Sequence, residues 1–195
     1  VLNDVAERTR DPGVQAALAR HARLSVDALQ RFAAAADPSV RAAAARNRSL
    51  PPTLARSLAS DPRLPVRMAL AENPALTPRV QETLSGDASP LVRGALIQQR
   101  SLAGEVLERL VRDTDFLVQA AAVRRRDIPE KRLLEWADSD DLALQVCLLQ
   151  RPSLPDSVLE SLCFSRHESI QRLAIERRDL SLDELVGWAE SSAVS

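Results

Sequence analysis

A period of 26 residues runs through this chain without insertion or deletion, and it limits the possible fold more than any other feature. Stepping by 26 from Val40 meets Val14, Val66, Val92, Val118, Leu144 and Ile170. The same step from Leu50 meets Leu24, Leu76, Leu102, Ile128, Leu154 and Leu180. Two columns of seven aliphatic residues in one register establish an internal repeat of a length typical of stacked arrays. A unit this short cannot bury both of its faces alone, so neighbouring copies must supply the missing surface.

Each repeat holds two helical segments. Helix A is expected to run from the anchor for about nine residues, with the anchor and the positions three and four later forming an apolar stripe. Val40, Ala43 and Ala44 illustrate it, as do Val92, Ala95 and Leu96. The position five after the anchor is also apolar throughout (Ala19, Ala45, Ala71, Ile97, Val123, Leu149, Ile175), so helix A is apolar on most sides and should be buried. Asp11-Pro12, Asp37-Pro38 and Ser89-Pro90 set a capping side chain before a proline suited to the first helical position, and Asp61-Pro62 starts its turn earlier. The helix is expected to stop near Asn47, Asn73-Pro74 and Arg151-Pro152, since Asn tolerates a left-handed cap and Pro cannot continue a helix. Helix B follows, opened by Pro52, Pro78, Pro129 and Pro155, or by the capping box Ser181 to Glu184. Leu24 with Leu29, Ile128 with Leu133 and Leu154 with Leu159 fit a hydrophobic staple over its start. Its main core residue lies eight past the second column, at Phe32, Leu58, Leu84, Leu110, Trp136, Leu162 and Trp188. These patterns predict an all-α solenoid of about seven two-helix repeats forming one domain over residues 1–195. Residues 1–10 are expected to be a partial N-terminal repeat and residues 190–195 a disordered tail. A chain that begins with Val is expected to be a fragment or a processed product.

Val40 through Pro51 and Val66 through Leu76 resemble the bacterial leucine-rich repeat variant family, short relatives of HEAT-type solenoids, and the resemblance covers essentially the whole chain. It implies a right-handed superhelix in which one of the two elements can be a 3₁₀ helix, and a non-catalytic binding scaffold. The founding type carries an N-terminal iron–sulfur cluster held by several cysteines. Cys147 and Cys163 do not match that set, so no cofactor is expected here, and the 26-residue period is somewhat longer than that type's.

Composition narrows the function. Abundant Ala, Leu, Arg and Glu, with 3% aromatics, favours helix over sheet. A net charge of −1 argues against a uniformly basic nucleic-acid binder. The two cysteines form no CxxC or zinc set, which suits a reducing cytosol, and they read as core thiols. No apolar run approaches the ~20 residues of a membrane span, and no signal peptide opens the chain, so a cytoplasmic location is expected. His21 and His167 fall on opposite edges of the repeat without a convergent ligand set, so no metal site is expected. No phosphate loop or nucleophile elbow occurs, and the chain reads as a non-enzyme. Trp136 and Trp188 occupy core positions and suit burial rather than base stacking.

The candidate binding residues come from two columns. The position after the anchor is a long polar donor in every repeat: Gln15, Arg41, Arg67, Arg93, Gln119, Gln145 and Gln171. One reading is a recognition ladder for an extended acidic peptide or a phosphate chain, centred on Arg41, Arg67, Arg93, Gln119 and Gln145. The other is bonding between repeats, to neighbouring carbonyls or Asp caps. The second candidate is the turn after helix A, where eleven arginines, among them Arg124, Arg125 and Arg126, stand against four acids. The turn before helix A reverses this, with nine acids against three arginines. Such a basic edge could face phosphates or an acidic partner, although acids at helix N-termini and bases at C-termini also answer to the helix dipole alone. The expected function is therefore protein or peptide binding through one face. Phosphate-backbone binding along the basic edge is the alternative. A HEAT-like DNA glycosylase ranks last, because it needs a carboxylate in an aromatic-lined cleft.

Overall fold

Every described element is an α-helix. The structure, a computed structural model, describes residues 2–21 and 23–178. Asp179, Leu180, the capping box at Ser181 to Glu184, Trp188 and the 190–195 tail lie outside the described residues. Helix A of successive repeats is α2 (Pro12–Ala19), α4 (Pro38–Ala45), α6 (Leu64–Ala71), α8 (Pro90–Leu96), α10 (Phe116–Val123), α12 (Leu142–Leu149) and α14 (Glu168–Arg178). Helix B is α1 (Leu2–Arg8), α3 (Val26–Ala33), α5 (Pro52–Leu58), α7 (Pro78–Ser85), α9 (Gly104–Val111), α11 (Glu130–Ala137) and α13 (Asp156–Cys163). The α1 segment occupies the helix-B register that the expected partial repeat requires. No 3₁₀ helix occurs among the described residues, so both elements of each repeat are α-helical where the resemblance allowed one to be 3₁₀. Helix A also begins two residues before its anchor rather than at it, with proline in the first helical position of α2, α4 and α8.

The uninterrupted period predicts one array, and the structure divides into two compact units, Val1–Ala122 and Val123–Ser195. In the first unit the A helices stack directly, α2 on α4, α4 on α6 and α6 on α8, while α3, α5, α7 and α9 stack as a second layer. In the second unit α12 stacks on α14 and α11 on α13. Small side chains explain the close A-on-A packing: Val40, Ala42, Ala43, Ala44 and Ala45 are all buried in α4. Anchors Val40, Val66, Val92, Val118, Leu144 and Ile170 are buried, each stabilising the stack by about 1.5–3 kcal/mol of apolar transfer. Val14 departs from its column and is 42% exposed. The helix-B residues Phe32, Leu58, Leu84, Leu110, Trp136 and Leu162 are buried as expected. Leu24, Leu29, Ile128, Leu133 and Leu159 of the staples are buried, with Leu154 half-buried. Cys163 is buried, but Cys147 is only half-buried. Burial pushes both thiols up from their ordinary value.

The caps follow the sequence with one exception. Asp11 accepts the backbone N–H of Val14 at 2.9 Å, Asp37 that of Ser39 at 2.8 Å, and Asp141 that of Leu144 at 3.0 Å. Ser89 does not cap α8 through its side chain. Its own N–H instead goes to Asp87 at 2.8 Å, and Asp61 and Asp113 receive the N–H groups of Arg63 and Asp115 in the same way. The aspartate five residues before the anchor therefore shapes the turn rather than capping the helix.

Candidate functional site

Three columns of polar or exposed side chains lie on helix A or at its ends. The first is the expected donor ladder. Arg41 forms a bidentate ion pair with Asp61, Nε to Oδ2 at 2.6 Å and Nη2 to Oδ1 at 3.1 Å. Arg67 pairs with Asp87 at 2.7 and 3.2 Å, and Arg93 with Asp113 at 2.6 and 3.0 Å. Each partner stands 20 residues on, at the turn that opens helix A of the next repeat. The remaining guanidinium nitrogen turns back to the preceding loop, where Arg41 donates to the carbonyls of Ala35 and Ala36, Arg67 to Asp61 and Arg93 to Asp87. Glutamines do the same with fewer donors: Gln15 donates to the Thr9 carbonyl, Gln119 to Asp113 and Gln171 to Ser165. Buried Gln145 donates to the carbonyls of Ala137 and Ser139 and accepts from the Ser165 hydroxyl at 2.7 Å.

Of the two readings of the ladder, this geometry matches bonding within the stack. Arg41, Arg67, Arg93 and Gln119 in the first unit, and Gln145 in the second, each close their donors on the protein's own turns. The partner residues match the donors: Asp stands 20 residues after Arg41, Arg67 and Arg93, and Ser 20 residues after Gln145. Burial pushes Asp61 and Asp113 up, but the Arg41 and Arg93 guanidinium groups and the local backbone N–H groups outweigh it and hold both carboxyls below the usual carboxylate range. The aspartates in turn hold Arg41, Arg67 and Arg93 firmly protonated through the same hydrogen bonds.

The second column is made of donors whose sequence pattern, as at Asn47 and Asn73, marks only a helix stop. Asn47 Nδ2 donates to the carbonyls of Ala19 at 2.7 Å and His21 at 3.1 Å. Asn73 donates to Ala45 at 2.7 Å and Asn47 at 2.8 Å, and Gln99 to Ala71 at 2.6 Å. In the second unit Arg151 reaches the carbonyls of Val123 and Arg125, and Arg177 those of Leu149 and Arg151. These amides and guanidinium groups satisfy carbonyls left open at the end of helix A one repeat earlier. The available signal was a side-chain donor seven past the anchor in repeat after repeat: Asn47, Asn73, Gln99, Arg125, Arg151 and Arg177.

The basic edge is thinned by these bonds. Arg151 is buried, which lowers its pKa, and Arg177 points inward. Arg125 pairs with Asp127, Nη2 to Oδ2 at 2.6 Å, and Arg46 with Glu72 of the next repeat at 2.7 Å. Arg124 and Arg126 are exposed and sit on either side of Arg125 in sequence, so the triplet does not act as one cluster. In the first unit Arg20, Arg23, Arg46, Arg48 and Arg100 remain exposed along this edge, against Glu72.

The third column is a side of helix A flanking its anchor, at positions one before and two and six after it. These share a face because helical neighbours lie three and four apart. In the first unit the row before the anchor is Gly13, Ser39, Pro65, Leu91 and Leu117, with Leu91 44% and Leu117 50% exposed. The row two past the anchor is Ala16, Ala42, Met68, Gly94 and Ala120. A Cβ at Gly94 would meet only the Leu117 carbonyl, at 3.9 Å, so glycine is not forced there by packing. The row six past the anchor is polar: Arg20, Arg46, Glu72 and Gln98. The stripe is thus apolar toward the N-terminal ends of α6, α8 and α10 and basic toward the C-terminal ends of α2 and α4.

Depressions lie elsewhere as well. One of about 620 Å³ runs between α7 and α9, lined by Arg79, Glu82, Glu105 and Arg109, two charges of each sign. One of about 310 Å³ in the second unit is lined by Asp138, Asp140, Phe164 and Arg166. Its polar groups engage one another, Ser161 donating to Asp138 at 2.5 Å and Arg166 pairing with Asp140 at 2.9 Å. Among the described residues no three His, Cys, Asp or Glu side chains converge as a metal site. Trp136 is buried beneath Arg132, whose guanidinium lies 5.2 Å from the ring centroid. No helix among the described residues is long and apolar enough to cross a membrane.

Comparison with solved structures finds a leucine-rich repeat variant, described as having a novel repetitive protein structural motif. It superposes with a TM-score of 0.65 at 23% identity, over 86% of this chain and 66% of that one. The likeness establishes the fold as an all-α repeat of that kind. No family model matches the sequence. No curated protein matches it either.

Proposed function

We propose that this chain is a bacterial leucine-rich repeat variant that acts in the cytoplasm as a non-enzymatic scaffold, binding a protein or peptide through the open stripe of its A helices. The observation that carries this reading is the pair Leu91 and Leu117. Both are large, aliphatic and about half exposed at equivalent positions of adjacent repeats, while the anchors one residue on are buried. Stacking alone explains the anchors and both donor columns, but it gives no reason for leucine at these two positions. Aligned exposed apolar side chains on a rigid array are a common means of holding a partner chain. Phosphate-backbone binding has less support, because Arg125, Arg151 and Arg177 are engaged internally and Arg46 is paired. The test places a photo-crosslinking residue at Leu91, at Leu117 or at exposed Glu108 on α9, in cells that express the chain. Discrete crosslinked polypeptides are expected at positions 91 and 117 and not at 108. The same products in the same yield from all three positions would sink the reading.

A further inference from the structure

Going one step beyond the scaffold reading, on which this inference rests, we propose that the partner is an acidic segment with bulky apolar anchors. Its apolar side lies on Pro65, Met68, Leu91 and Leu117, and its carboxylates face Arg48 and Arg100. Two observations on one unit combine here. The exposed stripe of the A helices is apolar at one end, and the edge it runs into carries five exposed arginines against one acid, Glu72. The aspartates at the opposite edge do not offset that charge locally, because Asp61, Asp87 and Asp113 are each neutralised by their own ladder arginine. A helix A of eight residues is about 12 Å long, so the apolar and basic rows are separated by about the width of one peptide helix. A single chain laid along the stack can therefore touch both. Gly94 and Ala120 keep the floor between Leu91 and Leu117 low, so side chains of the guest can settle between the two leucines. An arginine-rich edge suits carboxylates because guanidinium groups pair with them in bidentate geometry.

The probe is a display library of random peptides about 16 residues long, enough for a helix of about 24 Å that spans two or three stacked helices. It is panned against the full chain, against a Leu91→Ser/Leu117→Ser variant and against an Arg48→Glu/Arg100→Glu variant. All four substitutions are at exposed positions, and unchanged thermal melting checks that the stack is intact. The expected pool on the parent chain is rich in Asp and Glu and in Leu, Ile, Phe, Met or Trp. Its best peptide should weaken by about tenfold or more in each variant and fall steeply in affinity with added salt. An enriched pool that is neutral or basic, yet still lost in the leucine variant, overturns the acidic partner and leaves the scaffold reading standing. A pool that binds all three proteins equally, or no enrichment at all, overturns both.

Discussion

At the scale of single residues, the ladder shows how a charge on an exposed-looking helix position becomes structural. Arg41 and Asp61 have side chains only 14% and 6% exposed, so removing one partner leaves the other charge uncompensated. Arg41→Gln or Asp61→Ser alone should cost about 3–5 kcal/mol. The double substitution installs the pair already present at Gln145 and Ser165, so it should recover at least half of the larger single loss. Urea denaturation of the four proteins measures this as a double-mutant cycle, and strictly additive losses would refute the pairing. The same pair makes stability depend on pH. Asp61 and Asp113 titrate below their unfolded values, so their contribution is complete above about pH 4 and is lost as pH falls through the lower folded values. The urea midpoint of the parent chain should therefore drop more steeply below pH 4 than that of the Arg41→Gln/Asp61→Ser double variant.

At the scale of the helix, the period, the caps, the buried stripe and the core residues of helix B were legible because each depends on local spacing. What a polar column bonds to was not, because its partner is a whole repeat away. Arg41 reads equally well as a recognition residue until the stack sets Asp61, 20 residues on, against it. Asn73 reads as a stop signal because it follows the last turn of α6, and only the register of α6 on α4 reveals the carbonyls of Ala45 and Asn47 beneath it. The exposed leucines were missed for a related reason: Leu91 and Leu117 adjoin the anchors, and one residue of helical rotation decides which side is buried. Asn73→Ala should therefore cost more than the loss of a helix cap. It orphans the Ala45 carbonyl at a buried site, at about 1–3 kcal/mol, and removes one of the two bonds to the Asn47 carbonyl, which the Leu50 N–H still meets. Asn73→Gln should be milder, since Gln99 reaches the equivalent carbonyl of Ala71 in the next repeat. Equal midpoints for Asn73→Ala and the parent chain in chemical denaturation would show that these bonds contribute nothing net.

At the scale of the molecule, stability in a stacked array is a sum over neighbours, so a repeat is as stable as the surfaces that cover it. Within the unit Val1–Ala122 the covering is uneven. Val40, Val66 and Val92 are 0% exposed, while Val14 at the same register is 42% exposed and nearby Val5 43%. Helix α4 is clamped on both sides, since Asn47 at its end holds the carbonyls of Ala19 and His21 while its own Ala45 carbonyl is held by Asn73. Opening α1 and α2 exposes little additional apolar surface at Val14 and breaks the clamps from Asn47 together with the bonds from the Ser25 N–H to Asn3 and from Arg31 to the Ala6 carbonyl, whereas opening α4 and α6 breaks the buried Arg41–Asp61 and Arg67–Asp87 ion pairs. Native-state hydrogen exchange should therefore be graded, with the slowest amides of α1 and α2 exchanging at least about tenfold faster than those of α4 and α6, a difference of about 1.4 kcal/mol. Val66→Ala should raise exchange in α4, α6 and α8 together, because that anchor is shared by the stack, and Val14→Ala should leave them unchanged. A single exchange rate across all these helices would mean that the unit opens only as a whole, and the neighbour-sum account would fail.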